Sequence, residues 1–235
     1  MRSEEFFGRE DIKEIFEKRL RGFREGYRQN IAVLGDELIG KSSVVLNFFS
    51  SFQDNIIVPI YLEIRQEEEF FSFLKRFVCT LLYNFLQNSG IALKNDYDFL
   101  IHASEKFIPN TIRRIVTLCE QAKRSQKVSE AFFELLAITD IFNKETSKLC
   151  VIILDEFQNL EKFKIKNFYK EWGKTICLQK NVMYILISSC RRRAETILQE
   201  DLSLLFGNFE IIEIKPFDIR CSHILINQKF TPFFI

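Results

Sequence analysis

The run Gly35-Asp36-Glu37-Leu38-Ile39-Gly40-Lys41-Ser42 fits the phosphate-binding pattern G-x-x-x-x-G-K-[ST]. Two glycines at this spacing let the backbone curl until several N–H groups point inward at one phosphate. A helix starting near Lys41 adds its positive N-terminal end. Lys41 is then the cation for the β- and γ-phosphates, and the Ser42 hydroxyl is a ligand for Mg²⁺. The candidate phosphate-binding stretch therefore covers Gly35, Asp36, Glu37, Leu38, Ile39, Gly40, Lys41, Ser42 and Ser43. Asp36 and Glu37 add two negative charges to an anion site, which is harmless only if both side chains face solvent.

Chemistry of this kind needs a strand before the loop and a helix after it. Asn30-Ile31-Ala32-Val33-Leu34 reads as a buried strand, and Ser43-Val44-Val45-Leu46-Asn47-Phe48-Phe49 as a helix with one apolar face. A second apolar run, Leu149-Cys150-Val151-Ile152-Ile153-Leu154, suits a central parallel strand covered on both sides. It ends in Asp155-Glu156. Set beside the loop, this pair resembles the acidic pair of the P-loop NTPases. The resemblance implies that Asp155 holds Mg²⁺ and that Glu156 is the general base for an attacking water. A third strand, Asn181-Val182-Met183-Tyr184-Ile185-Leu186-Ile187, runs into Ser188-Ser189-Cys190-Arg191-Arg192-Arg193. In such ATPases the strand beside the acidic one ends in a polar sensor of the γ-phosphate, a place open to Ser188 or Ser189. Arg191 is either a phosphate contact or part of a basic first helical turn. For Arg192 and Arg193 the solvated turn is the better reading.

Near the start, Phe6-Phe7-Gly8-Arg9-Glu10 precedes a helix with apolar positions 12, 15, 16, 20 and 23. F-G-R-E, G-x-x-x-x-G-K-S, I-I-L-D-E-F and a strand ending in S-S-x-R together resemble the AAA+-type ATPases. They are most similar to the archaeal and bacterial ATPases near the STAND group and the origin-recognition branch. The likeness runs over roughly residues 5 to 217. It implies that Phe7, Gly8 and Arg9 lie against the adenine of ATP. It also implies an α/β P-loop NTPase fold, a five-stranded, mostly parallel sheet flanked by helices, in the strand order 5-1-4-3-2. Residues 1–217 would form the ATP-binding core. Residues 218–235 would begin a lid that is largely missing, after Phe217-Asp218-Ile219-Arg220 and before the apolar end Thr231-Pro232-Phe233-Phe234-Ile235.

Between those motifs, residues 55–64 read as the second strand, with Pro59 marking an edge position. Residues 67–145 read as helical throughout, a helical insertion between strands 2 and 3. Phe70, Phe71, Leu74, Phe77, Val78, Leu81, Leu82 and Phe85 form its main stripe, which suits a core rather than a cofactor box. A helix at about 161–178 interleaves Lys162, Lys164, Lys166, Lys170 and Lys174 with Phe163, Ile165, Phe168 and Trp172, and reads as amphipathic with a basic outer face. Arg19, Arg21, Arg24 and Arg28 read as a solvated face or a partner contact. A fifth strand covers Phe209 to Ile214.

Composition sets bounds on function. With 235 residues and 47% apolar content, one α/β domain can bury a large core. Thirty-three basic residues against 32 acidic ones leave a net charge of +1, so no global field draws the chain onto nucleic acid. The six cysteines form no C-x-x-C pair and, with only two histidines, no zinc set; reduced thiols in the cytoplasm are the expectation. Phe is abundant, 26 of 235, which reads as core filling. No apolar run reaches the ~20 residues of a membrane span.

The expected activity is Mg²⁺-dependent ATP binding and hydrolysis used as a conformational switch of the STAND kind. It would be slow without a lid, with nucleotide as ligand and self-association or a protein as partner. Two alternatives stand beside it. One is a DNA-handling loader or transposition helper. The other is a nucleotide-binding structural module with little hydrolysis.

Overall fold

In the computed structural model, which describes residues 8–87, 89–124, 127–202 and 208–216, the five apolar runs pair into one sheet. The strands are β1 (Asn30–Leu34), β2 (Ile57–Glu63), β3 (Leu149–Asp155), β4 (Val182–Ser188) and β5 (Phe209–Glu213). Every pairing is parallel, and the order is β2-β3-β4-β1-β5, as expected. β2 lies at an edge, where Pro59 is tolerated. All five residues of β1 and all seven of β4 are buried, as strands covered on both faces must be.

The faces follow from the two-residue period of the strands. Ile31, Val33, Val151, Ile153, Ile185 and Ile187 point to one side, where α1 (Glu10–Arg24) and α2 (Lys41–Ser51) cover them with Phe16, Leu20, Val44 and Val45. Ala32, Leu34, Ile60, Leu62, Ile152, Leu154 and Leu186 point to the other. There they meet α3 (Phe70–Leu86), α4 (Tyr97–Glu105), α5 (Pro109–Arg124), α6 (Val128–Thr146) and α7 (Phe168–Leu178). The helices between β2 and β3 are thus one flank of the sandwich. Much of the phenylalanine is spent here: Phe73 stacks on Phe132 at 6.1 Å, and Phe132 meets Phe168 edge-on at 4.9 Å.

Helix ends inside this flank are specified locally. Asp96 caps α4 by accepting from the Phe99 amide at 2.9 Å. Pro109 opens α5 at the position where a missing N–H costs nothing. Glu145, from the end of α6, accepts from the amides of Asn110 and Thr111 at 2.8 and 2.7 Å and from the Thr111 hydroxyl at 2.5 Å.

Two surface readings change. The expected helix over 161–178 is broken into a 3₁₀ helix (Phe157–Phe163) and α7, because Lys164 and Asn167 are both left-handed, at φ 52° and 53°. Lys162 does not join a basic outer face: its ammonium is buried beside Phe163, and burial lowers its pKa. The arginines at the front are mostly structural. Arg19 grips Glu210 of β5 with two bonds of 2.5 and 3.0 Å, Arg24 pairs with Asp54, and Arg28 donates to the Ile176 carbonyl at 2.7 Å. Phe7 and the residues from 217 onward, including the expected lid segment, lie outside the described residues.

Candidate nucleotide site

Parallel registration brings the chemistry to one end of the sheet. Leu34 pairs with Ser188 and Glu213, and Asp155 pairs with Glu63 and Ile187. The next residues, Gly35, Glu156 and Ser189, therefore leave the carboxyl ends of three adjacent strands side by side. In parallel α/β sheets, ligands bind beyond these strand ends.

Gly35 is required by a close approach rather than by its dihedrals. A Cβ there would lie 2.6 Å from the Ile214 carbonyl oxygen, a backbone atom that cannot turn aside. Gly40 is needed for its φ of +95°, which turns the chain into α2. No side chain caps α2, and its first turn carries no acidic residue, so its free N–H groups face the loop. Lys41 is only 4% exposed and folds back to donate to the Asp36 carbonyl at 2.6 Å. Asp36 and Glu37 are exposed, as is Leu38 at φ 59°. A solvated carboxylate about 8 Å from a phosphate repels it by only ~0.5 kcal/mol. The acidic pair therefore does little against a buried lysine and a row of amides.

A cleft of about 800 Å³ opens over this loop. Glu37, Leu38, Gly40, Lys41, Ser42 and Ser43 form one side, and Glu156, Gln158, Asn159, Ser189 and Cys190 another; Glu63, Ile64, Arg65 and Gln66 close the β2 end. Asp155 lies beneath, 3% exposed. Its Oδ2 accepts a hydrogen bond of 2.5 Å from the Tyr61 hydroxyl, while its Oδ1 is buried with no partner among the described residues. Burial, and then the bond to Asp155, pushes the Tyr61 phenol well above its usual range, so it remains a donor. A buried carboxylate oxygen left unsatisfied below a cleft that Ser42 lines fits a hard cation. Among the described residues no group of three or more His, Cys, Asp or Glu is placed to hold a metal. A cation here would share its coordination with phosphate oxygens, which is the habit of Mg²⁺.

Glu156 sits at φ 54°, a strained left-handed position for a side-chain-bearing residue. Its carboxylate accepts from the Ser189 amide at 3.2 Å, the Ser189 hydroxyl at 2.8 Å and the Gln158 amide group at 2.6 Å. Of the two serines, Ser189 is the one in the cleft. Ser188 is fully buried and accepts from the Cys190 amide. Arg191 is turned elsewhere: it pairs with Glu195 at 2.8 Å and with Glu213 of β5, and it does not line the cleft. Arg193 pairs with Glu161 and Asp201.

Gly8 and Arg9, both left-handed, lead into α1 and do not line the cleft. Arg9 donates to the Lys215 carbonyl at 2.6 Å, one residue from the Ile214 carbonyl that crowds Gly35. Arg9, at the start of α1, is thereby held near the base of the loop. Sequence reasoning missed Tyr61 and Gln158. Tyr61 meets Asp155 only through the register of β2 on β3, which no local pattern in the sequence gives.

The whole described chain can be placed on known folds. No protein-family model matches the sequence, and no curated protein does. A Walker-type ATPase of Pyrococcus abyssi superposes with a TM-score of 0.56 at 17% identity, covering 97% of this chain and 59% of that one. The ORC2 protein of Aeropyrum pernix in its ADP form gives 0.56 at 11% identity, over 95% and 53%. The ORC1 protein of Aeropyrum pernix in complex with DNA gives 0.52 at 12%, over 97% and 50%. The fold is that of the P-loop NTPases. The chain spans only about half to three-fifths of the length of these structures.

Proposed function

We propose that this chain binds ATP with Mg²⁺ and hydrolyses it, using the bound and hydrolysed states as a conformational switch of the STAND kind. The observation that carries the reading is the meeting, at one sheet end, of a buried Lys41 and an Asp155 oxygen that is buried and unpartnered.

The loop amides from Gly35 to Ser43 and the N-terminus of α2 would hold the phosphates by preorganised dipoles. Lys41 would leave the Asp36 carbonyl and donate to the β- and γ-phosphates. Ser42 and Asp155 would hold Mg²⁺, which, when bound, neutralises charge on those phosphates. Glu156 would accept the proton of the attacking water. To do so its carboxylate must free a lone pair now taken by Ser189 or Gln158. Ser189 then becomes available to the γ-phosphate. Gly8 and Arg9, with Phe7, would lie toward the base, next to the loop.

A DNA-handling role is the second reading. It is favoured by the likeness to a protein whose structure holds DNA, and opposed by a net charge of +1. Fluorescence anisotropy of labelled duplex DNA at 50 and 200 mM salt separates the readings. Binding that collapses with salt supports DNA handling; none at the lower salt supports the switch.

The test of the main reading is phosphate release by wild type and Glu156→Gln. Glutamine keeps the shape and loses the base, so turnover should fall by about 10²-fold while ATP still binds. Equal turnover would remove Glu156 from the chemistry.

A further inference from the structure

We propose that Tyr61 is the positioning residue of the cation site, its hydroxyl occupying Oδ2 of Asp155 and thereby committing the buried Oδ1 to the metal. The proposal rests on the reading of Asp155 as a metal ligand.

The geometry is set by the sheet. β2 and β3 run in parallel register with Tyr61 opposite Ile153 and Glu63 opposite Asp155. Tyr61 is thus the diagonal neighbour of Asp155 on the same face, the spacing that a long aromatic side chain can span. Both belong to the face covered by α1 and α2, the side from which α2 presents Ser42. The ring is partly buried against that core, so the hydroxyl is aimed rather than free. It meets Asp155 Oδ2 at 2.5 Å. The phenol therefore bonds one of the two side chains assigned to the cation, at the sheet end where α2 begins with Lys41 and Ser42.

A carboxylate with two free oxygens can rotate or bind a metal through either. Here Oδ2 is taken by a neutral donor, and Oδ1 is left buried with no hydrogen bond among the described residues. Leaving a buried carboxylate oxygen unsatisfied is unfavourable. A cation that fills the position removes that penalty, so the arrangement favours the metal-bound state. Partners of this kind around a metal ligand change affinity by about 10–100-fold when removed.

The experiment uses the full chain, with Mn²⁺ as the probe and ADP present. Loss of the free Mn²⁺ electron paramagnetic resonance signal reports binding. Wild type, Tyr61→Phe and Asp155→Asn are compared, and ADP affinity is measured separately in EDTA. Tyr61→Phe keeps the ring and removes only the hydroxyl. Its Mn²⁺ affinity should fall about 10-fold, with metal-free ADP affinity within twofold of wild type. Unchanged or tighter Mn²⁺ binding in Tyr61→Phe, with Asp155→Asn weakened, overturns the role of Tyr61 and leaves the site intact. An equal loss of ADP affinity in EDTA makes Tyr61 a structural residue and also overturns the proposal. Unchanged Mn²⁺ binding in Asp155→Asn instead overturns the site reading on which the proposal rests.

Discussion

Ser189 donates through both its amide and its hydroxyl to Glu156, and Gln158 adds a further donor. Each of these bonds takes up a lone pair of the carboxylate that a water would need. Removing one donor should loosen the carboxylate without removing it. Ser189→Ala is therefore expected to keep ATP affinity within about threefold, yet to lower turnover by roughly 10-fold or more, since this side chain holds Glu156, the proposed base, and lines the cleft. Single-turnover phosphate release, with binding measured in parallel, checks this split. A parallel loss of binding and turnover would make Ser189 a structural residue. Gly35 is the other sensitive position. Gly35→Ala places a methyl 2.6 Å from the Ile214 carbonyl. Overpacking of this kind costs about 1–3 kcal/mol, so urea unfolding should show a lower midpoint. Gly26→Ala, with nothing within 4 Å but φ at +89°, should cost less, about 1 kcal/mol.

At the level of elements, the strands and the turn from β1 into α2 were legible because they are specified by local rules. β1 and β3 are unbroken apolar runs, and G-x-x-x-x-G-K-S needs only its own backbone to curl. Contacts between distant segments were not legible. Nothing around Arg19 names Glu210 as its partner, and nothing around Tyr61 names Asp155, since these meetings depend on strand order and register. The lysines from 162 to 174 show the opposite failure. Their spacing suited one helix, yet two left-handed residues divide it. Glu145 illustrates an element-level contact with a measurable signature. Its carboxylate is held at the N-terminus of α5, and although burial works the other way, the bonds from Thr111 and Asn110 draw its pKa below the ordinary 4.5. A lowered carboxylate pKa contributes stability above the unfolded value, and that contribution is lost as pH falls through the folded one. Glu145→Gln should thus cost about 1–2 kcal/mol at pH 7, and the difference from wild type should shrink below about pH 4. A constant difference from pH 7 to pH 3 would show that the charge does not matter.

For the molecule as a whole, the three-layer sandwich turns one sheet end into a site and leaves the flank of α3 to α7 as core. Among the described residues no helix is long and apolar enough to cross a membrane. Ligand bound only by the folded chain must raise its stability. At 100 times Kd the gain is about 2.7 kcal/mol, or roughly 5–10 °C in Tm for a domain of this size. ATP with Mg²⁺ should produce that shift, and ATP in EDTA a smaller one. The measurement that bears most directly on the account is calorimetric titration of ATP, with Mg²⁺ present, into wild type and Lys41→Ala. Lys41 is the buried cation of the loop, so its loss should weaken binding at least ~10-fold, about 1.4 kcal/mol, in a protein that melts near wild type. Unchanged ATP affinity in folded Lys41→Ala would contradict the assignment of residues 35–43 as the nucleotide site.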